Sequence, residues 1–136
     1  MPASSIHRLQ LVQYALARAV VPSVRRYQHI KPTLHNLHWL PVNQRITYKI
    51  AALTFKILHY KEPSYLADLL HTHVPSQNLR SSDKHLLTIP YIKSSIGRRS
   101  FFFSAPTVCN SLPLCLRMSN SASSFLAQLK TYLFPA

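Results

Sequence analysis

The chain has 136 residues, 47% of them hydrophobic, with ten prolines and one glycine, Gly97. That length points to a single small domain or domain fragment with a modest core, and one glycine excludes the Gly-rich phosphate loops and dinucleotide fingerprints that need several. Sixteen Lys and Arg stand against three acids, a formal charge of +13, so an anionic partner is expected: nucleic acid first, because phosphate neutralisation releases counterions, with a membrane surface or an acidic protein face as alternatives.

In chain order, Ser4 and Ser5 are placed to cap a helix over residues 6–21, in which Leu9, Val12, Leu16 and Ala19 or Val20 recur on one face. Pro22 ends it, and Arg25, Arg26, His29 and Lys31 form a basic connector. Pro32 suits the start of a short helix through His38, stopped by Trp39-Leu40-Pro41. The strongest helix spans 42–60: Ile46, Ile50, Leu53 and Ile57 make one apolar stripe, and Tyr48, Ala51, Phe55 and Leu58 a second. Arg45, Lys49 and Lys56 fill a narrow polar strip between them, so this helix is expected to be packed on two sides at the centre of the fold. Its apolar run is shorter than the roughly 20 residues that a membrane span needs.

A fourth helix opens at Pro63 or Ser64, turns Tyr65, Leu66, Leu69 and Leu70 inward, and ends near His73. Residues 76–84 are polar, 86–91 read as a short strand, and 93–100 form a basic turn around Gly97. Phe101 to Phe103 are placed to pair with that strand as a hairpin. Pro106 and Pro113 leave room for at most one short helix over 105–116, and Phe125, Leu129, Tyr132 and Leu133 mark a last helix over 121–134. The expected architecture is therefore mainly α, four to five helices around the central 42–60 helix with a short β-hairpin near 86–103. A helical part (1–75), a polar basic linker with a short strand (76–100) and a strand with a C-terminal helix (101–136) make up one domain or domain fragment.

The acids Glu62, Asp68 and Asp83 are scattered, unlike the clustered carboxylates that hold paired catalytic cations. His35 with His38, His71 with His73, and Cys109 with Cys115 fall short of the paired spacing of a zinc site. The cysteines read as small buried hydrophobes and the histidines as helix-end or exposed rings. No Gly-flanked nucleophile elbow occurs. No enzyme activity, metal, cofactor or small-molecule substrate is expected. Phe101 to Phe103 beside Arg98 and Arg99 suit base stacking, although three consecutive aromatics cannot share one strand face and at least one belongs in a core. No secretory pattern precedes the cysteines, so an intracellular setting, nucleus or cytoplasm, is expected. A minor alternative makes the acid-free N-terminus, with Arg8, Arg18, Arg25 and Arg26, a mitochondrial presequence.

Six collinear stretches carry a resemblance. They are Leu9-Gln10-Leu11-Val12-Gln13 with Ala15-Leu16-Ala17-Arg18; Leu37-His38-Trp39-Leu40-Pro41-Val42-Asn43-Gln44-Arg45-Ile46; and Pro63-Ser64-Tyr65-Leu66-Ala67-Asp68-Leu69-Leu70. Then come Leu79-Arg80-Ser81-Ser82-Asp83, Ser104-Ala105-Pro106 continuing to Asn110-Ser111-Leu112-Pro113, and Ser124-Phe125 leading to Leu129-Lys130-Thr131-Tyr132-Leu133-Phe134. In order and over nearly the whole chain, the sequence resembles the C-terminal tail of non-LTR (LINE-type) retrotransposon reverse transcriptases. The resemblance implies a non-catalytic fragment lying beyond the polymerase palm, whose motif of an aromatic, any residue and two aspartates is missing here. Cys109 stands where that family shows an aromatic.

The resemblance also implies association with template RNA and target DNA. The residues nominated for sequence-tolerant phosphate binding are Arg25, Arg26, Lys31, Arg80, Lys84, Lys93, Arg98 and Arg99. Two rival readings are a packing platform for the polymerase domain of a related element, and a translated relic without function.

Overall fold

The computed structural model describes residues 3–25, 27–75 and 85–134, and the chain is mainly helical. Helix α1 spans Ala3–Val20, α2 Lys31–Asn36, α3 Val42–Tyr60, α4 Ser64–Ala67, α5 Phe101–Ser111, α6 Leu114–Arg117 and α7 Ala122–Leu133, with a 3₁₀ turn at Gly97–Arg99. Among the described residues no helix is long and apolar enough to cross a membrane. The chain divides into two units, one running up to Thr47 and resuming at Lys130, the other Tyr48–Leu129.

In the first unit, α1 begins at Ala3, so Ser4 and Ser5 lie inside its first turn. Its regular apolar face is outermost: Leu9, Val12, Leu16 and Val20 are 44%, 56%, 54% and 57% exposed, whereas Gln13 and Ala17 are buried. Polar partnership accounts for this choice. Gln10 Nε2 donates to Gln13 Oε1 at 2.8 Å, Gln13 Nε2 donates to the Leu40 carbonyl at 2.8 Å, and Gln10 Oε1 accepts the Val42 N–H at 2.8 Å. Val42 opens α3, where an N–H has no intrahelical acceptor. Gln10 therefore caps α3 from another helix. Ala17, with no bulk, lets Ile30 and Leu34 approach, and Tyr14, Val24, Leu37 and Trp39 pack around them.

Helix α2 ends in a Schellman arrangement. The Trp39 N–H reaches the Leu34 carbonyl at 2.8 Å and the His38 N–H reaches His35 at 2.9 Å. His38 takes the left-handed conformation, φ 53°, that glycine usually occupies there. This closure folds Trp39 back onto the Leu34 cluster.

In the second unit, α3 buries Ala51, Thr54, Phe55 and Ile57, while Lys49 and Lys56 are exposed as their strip predicts. The Thr54 hydroxyl donates to the Ile50 carbonyl at 2.8 Å, which makes a buried hydroxyl tolerable. Phe55 stacks on Phe125 of α7, centroids 4.1 Å apart and planes 11° apart. Ile57, Leu70 and Ala105 form a second cluster that takes in Leu66 and Phe101. After left-handed Lys61 and a cis Glu62–Pro63 peptide, α4 is one turn long. It is shorter than the pattern predicts, with Leu70 buried but Tyr65 and Leu69 exposed.

The expected β-hairpin near 86–103 does not form. Among the described residues there is no strand, only an isolated antiparallel bridge between Thr72 and Leu87, and Phe101 to Phe103 make the first turn of α5. The short strands expected within 76–100 and 101–136 are thus absent from the described residues. The reason lies in Asn110. Its Oδ1 accepts the Leu87 N–H at 2.9 Å and its Nδ2 donates to the Leu87 carbonyl at 2.8 Å, so a side chain occupies the place a hairpin partner would take. Losing both bonds at the buried Leu87 costs about 1–3 kcal/mol for each polar group left unpaired.

Two helices, not one, follow. Helix α5 carries Pro106 at its sixth position, in the helix interior, where the ring leaves one i→i−4 hydrogen bond unmade. The Ser104 and Thr107 hydroxyls bond back to the Ser100 and Phe103 carbonyls at 2.8 and 2.7 Å.

Which face of α1 is inside can be tested directly. Leu16→Gln should leave stability within about 0.5 kcal/mol, whereas Ala17→Leu should cost about 1–3 kcal/mol by overpacking. Chemical denaturation of both variants gives the ranking, and the reverse order would mean that the apolar stripe is the packed face.

Candidate nucleic-acid interface

Of the eight nominated cations, Arg26, Arg80 and Lys84 lie outside the described residues. Arg25 and Lys31 belong to the first unit and are exposed; Lys93, Arg98 and Arg99 belong to the second and are exposed. The fold gathers the last three onto one turn, residues 92–100, immediately before α5.

That turn is built around Gly97. Its N–H donates to Ser94 Oγ at 3.0 Å, and the Ser100 hydroxyl donates to the Gly97 carbonyl at 2.7 Å. A Cβ at Gly97 would lie 2.6 Å from Ile92 Cγ2 and 2.8 Å from Ser94 Oγ, so the chain passes too closely here for any side chain. Arg98 Nε donates to the Ile92 carbonyl at 3.1 Å, fixing the guanidinium beside Lys93. With its hydroxyl engaged at Gly97, Ser100 makes no side-chain cap for α5, and the first turn of that helix carries no acid. The partial positive charge of the helix start adds to three cations without an offsetting carboxylate on the helix.

Of the aromatic run beside this turn, Phe101 serves the fold. Phe101 packs against the Ile57, Leu70 and Ala105 cluster, and all three phenylalanines are half-buried along a helix. The stacking platform expected of an exposed strand is not formed.

A concave site that the sequence did not nominate lies in the first unit. It is a cavity of about 580 Å³ whose walls include Tyr14, Trp39 and Phe134, with Lys31, Asn36 and Gln44 also facing it. His35 meets Phe134 edge to face, centroids 5.4 Å apart and planes at 70°. The signal was present in the helix stop at Trp39, but the distance in sequence from Tyr14 to Phe134 concealed the grouping.

In the second unit Cys109 borders a cavity of about 400 Å³ beside Phe55, Leu112 and Phe125. Burial pushes the Cys109 thiol above its ordinary pKa, and the Arg117 charge offsets this only in part. Arg117 itself is anchored, Nε to the Leu112 carbonyl at 3.1 Å and an Nη to His85 at 3.3 Å. Cys115 is exposed, and both cysteines are free thiols. Among the described residues no three His, Cys, Asp or Glu side chains come together as a metal site. Glu62 and Asp68 are exposed, and Asp83 is outside the described residues.

Comparison of the chain with protein-family models, with curated proteins and with solved structures finds no match.

The two thiols should differ in reactivity, because the thiolate is the attacking species. At neutral pH a thiol reagent should label Cys115 rapidly and Cys109 slowly, and Cys115→Ser should remove the fast phase. The folded chain holds the Cys109 proton more tightly than the unfolded chain does, so this contribution is complete below the unfolded pKa. It is lost as pH rises through the raised folded value. Stability should therefore decline above about pH 8.5, and denaturation of Cys109→Ser over that range should show a smaller decline.

Proposed function

We propose that this chain is a non-catalytic nucleic-acid-binding fragment, akin to the region that follows the polymerase in LINE-type retrotransposons. It holds single-stranded RNA or DNA in a sequence-tolerant way. The observation that carries this reading is the exposed turn bearing Lys93, Arg98 and Arg99 ahead of an acid-free helix start. Arg25 and Lys31 supply exposed charge in the other unit. Phosphate contacts of this kind position a strand and carry no base information, which accounts for tolerance of sequence. The +13 charge supports capture of a polyanion at long range.

The test is a salt titration. Binding of a labelled single-stranded RNA, followed by anisotropy, should weaken steeply between about 50 and 200 mM salt, with a logarithmic slope of about −0.7 per phosphate neutralised. Arg98→Gln with Arg99→Gln should make that slope shallower by about 1.4, two contacts' worth. A slope unchanged in the double variant removes the turn from the interface; no salt dependence at all removes the reading.

One observation favours a second reading, a packing platform for the polymerase domain of a related element. The stripe Leu9, Val12, Leu16 and Val20 is exposed along the length of α1, with the spacing of a helix docked in a groove. On that reading the chain alone should be poorly soluble, and co-expression with such a polymerase domain should keep it soluble and co-purifying. Leu9→Gln with Leu16→Gln should restore solubility alone and abolish co-purification.

A further inference from the structure

We infer that the cavity between α1, α2 and the start of α3 receives one unpaired nucleobase with its phosphate. The inference deepens the nucleic-acid reading by giving it a specific seat. Three features carry it: the aromatic walls, the hydrogen-bonding side chains and the sign of the charge.

Tyr14, Trp39 and Phe134 line the cavity, and its volume of about 580 Å³ is that of a small-ligand site. Flat aromatic walls suit a flat ring, because every base offers a π-face to stack on. Trp39 is held in place from behind: its backbone N–H donates to the Leu34 carbonyl and its side chain packs on the Ala17, Ile30 and Leu34 cluster. His35, edge-on to Phe134, fixes that ring in turn.

Asn36 and Gln44 both line the cavity. Each amide offers donors and an acceptor, which is the complement any base edge requires, and such edges are free only in unpaired strands. Lys31, exposed at the border, is the cation for the attached phosphate. Among the described residues no carboxylate side chain lines the cavity, so none of them offers a counterion to a cationic ligand. A purely apolar occupant would make no use of the two amides and the ammonium. A base with its phosphate answers all three features.

Trp39 is the only tryptophan of the chain, so the wall of the site reports on its own occupancy. In titrations of the full chain at low salt, oligo(A) RNA should quench Trp39 fluorescence saturably. Lys31→Gln, at an exposed side chain, should raise the midpoint about threefold. Adenosine monophosphate in place of the oligomer separates a free nucleotide from a base within a strand; a quench at higher concentration by the same route supports the site. Polyphosphate, which has charge and no base, should leave the fluorescence unchanged.

The inference and the function it rests on fail separately. RNA that binds by anisotropy while Trp39 fluorescence stays constant overturns the base seat and leaves the phosphate-binding reading standing. Nucleotide that quenches Trp39 while RNA fails to bind leaves the seat and overturns that reading. An equal quench by polyphosphate, or a midpoint unmoved by Lys31→Gln together with no response to the mononucleotide, overturns the seat.

Discussion

The two-glutamine relay that joins α1 to the start of α3 constrains the whole first unit. Gln13 must reach the Leu40 carbonyl and Gln10 must cap Val42, so α1 has one allowed rotation about its axis. An unpaired polar group at either place would cost about 1–3 kcal/mol, and relays of this kind act as units because each bond orients the next. The rotation turns the leucine and valine stripe outward. It also sets Tyr14, next to Gln13, and Trp39, next to Leu40, on the walls of one cavity. An exposed apolar face and an aromatic pocket are thus two results of one hydrogen-bonded choice.

The second unit follows a similar rule with a different partner. Leu87 is held by an asparagine side chain instead of a neighbouring strand, and Phe101 to Phe103 are released into a helix. Helical geometry then directs Phe101 to the Ile57 cluster and brings the start of α5 up behind the basic turn. Charge without an ordered backbone is only a field; the close passage at Gly97 and the bond from Arg98 to Ile92 turn it into a surface of defined shape.

How much of this was legible depends on whether the deciding partner was near in sequence. The 42–60 helix coincides with α3, and 121–134 closely matches α7, because the 3.6-residue period and the flanking prolines are local. The packed face of α1 was not legible. Leucines outrank glutamines in any hydropathy pattern, yet the acceptor and donor that decide the matter are backbone groups of Leu40 and Val42, which carry no sequence signature. The hairpin failed similarly, since Asn110 lies 23 residues from Leu87. Among the candidate site residues, Lys93, Arg98 and Arg99 could be grouped from the sequence because one turn contains them. The aromatic cavity could not, being assembled from Tyr14, residues 31–44 and Phe134.

The glycine distribution has a consequence for how much disturbance the fold can absorb. The sole glycine stands where a side chain would collide with Ile92, while His38, Lys61 and His85 adopt left-handed backbone conformations with side chains attached. Each such residue carries a conformational penalty of about 1–2 kcal/mol, set against the 5–15 kcal/mol or so by which domains of ordinary size are stable. The contacts around these three residues must offset those penalties before they add anything to net stability. A lost amide partner or an emptied aromatic stack would therefore weaken a fold that already carries these backbone costs.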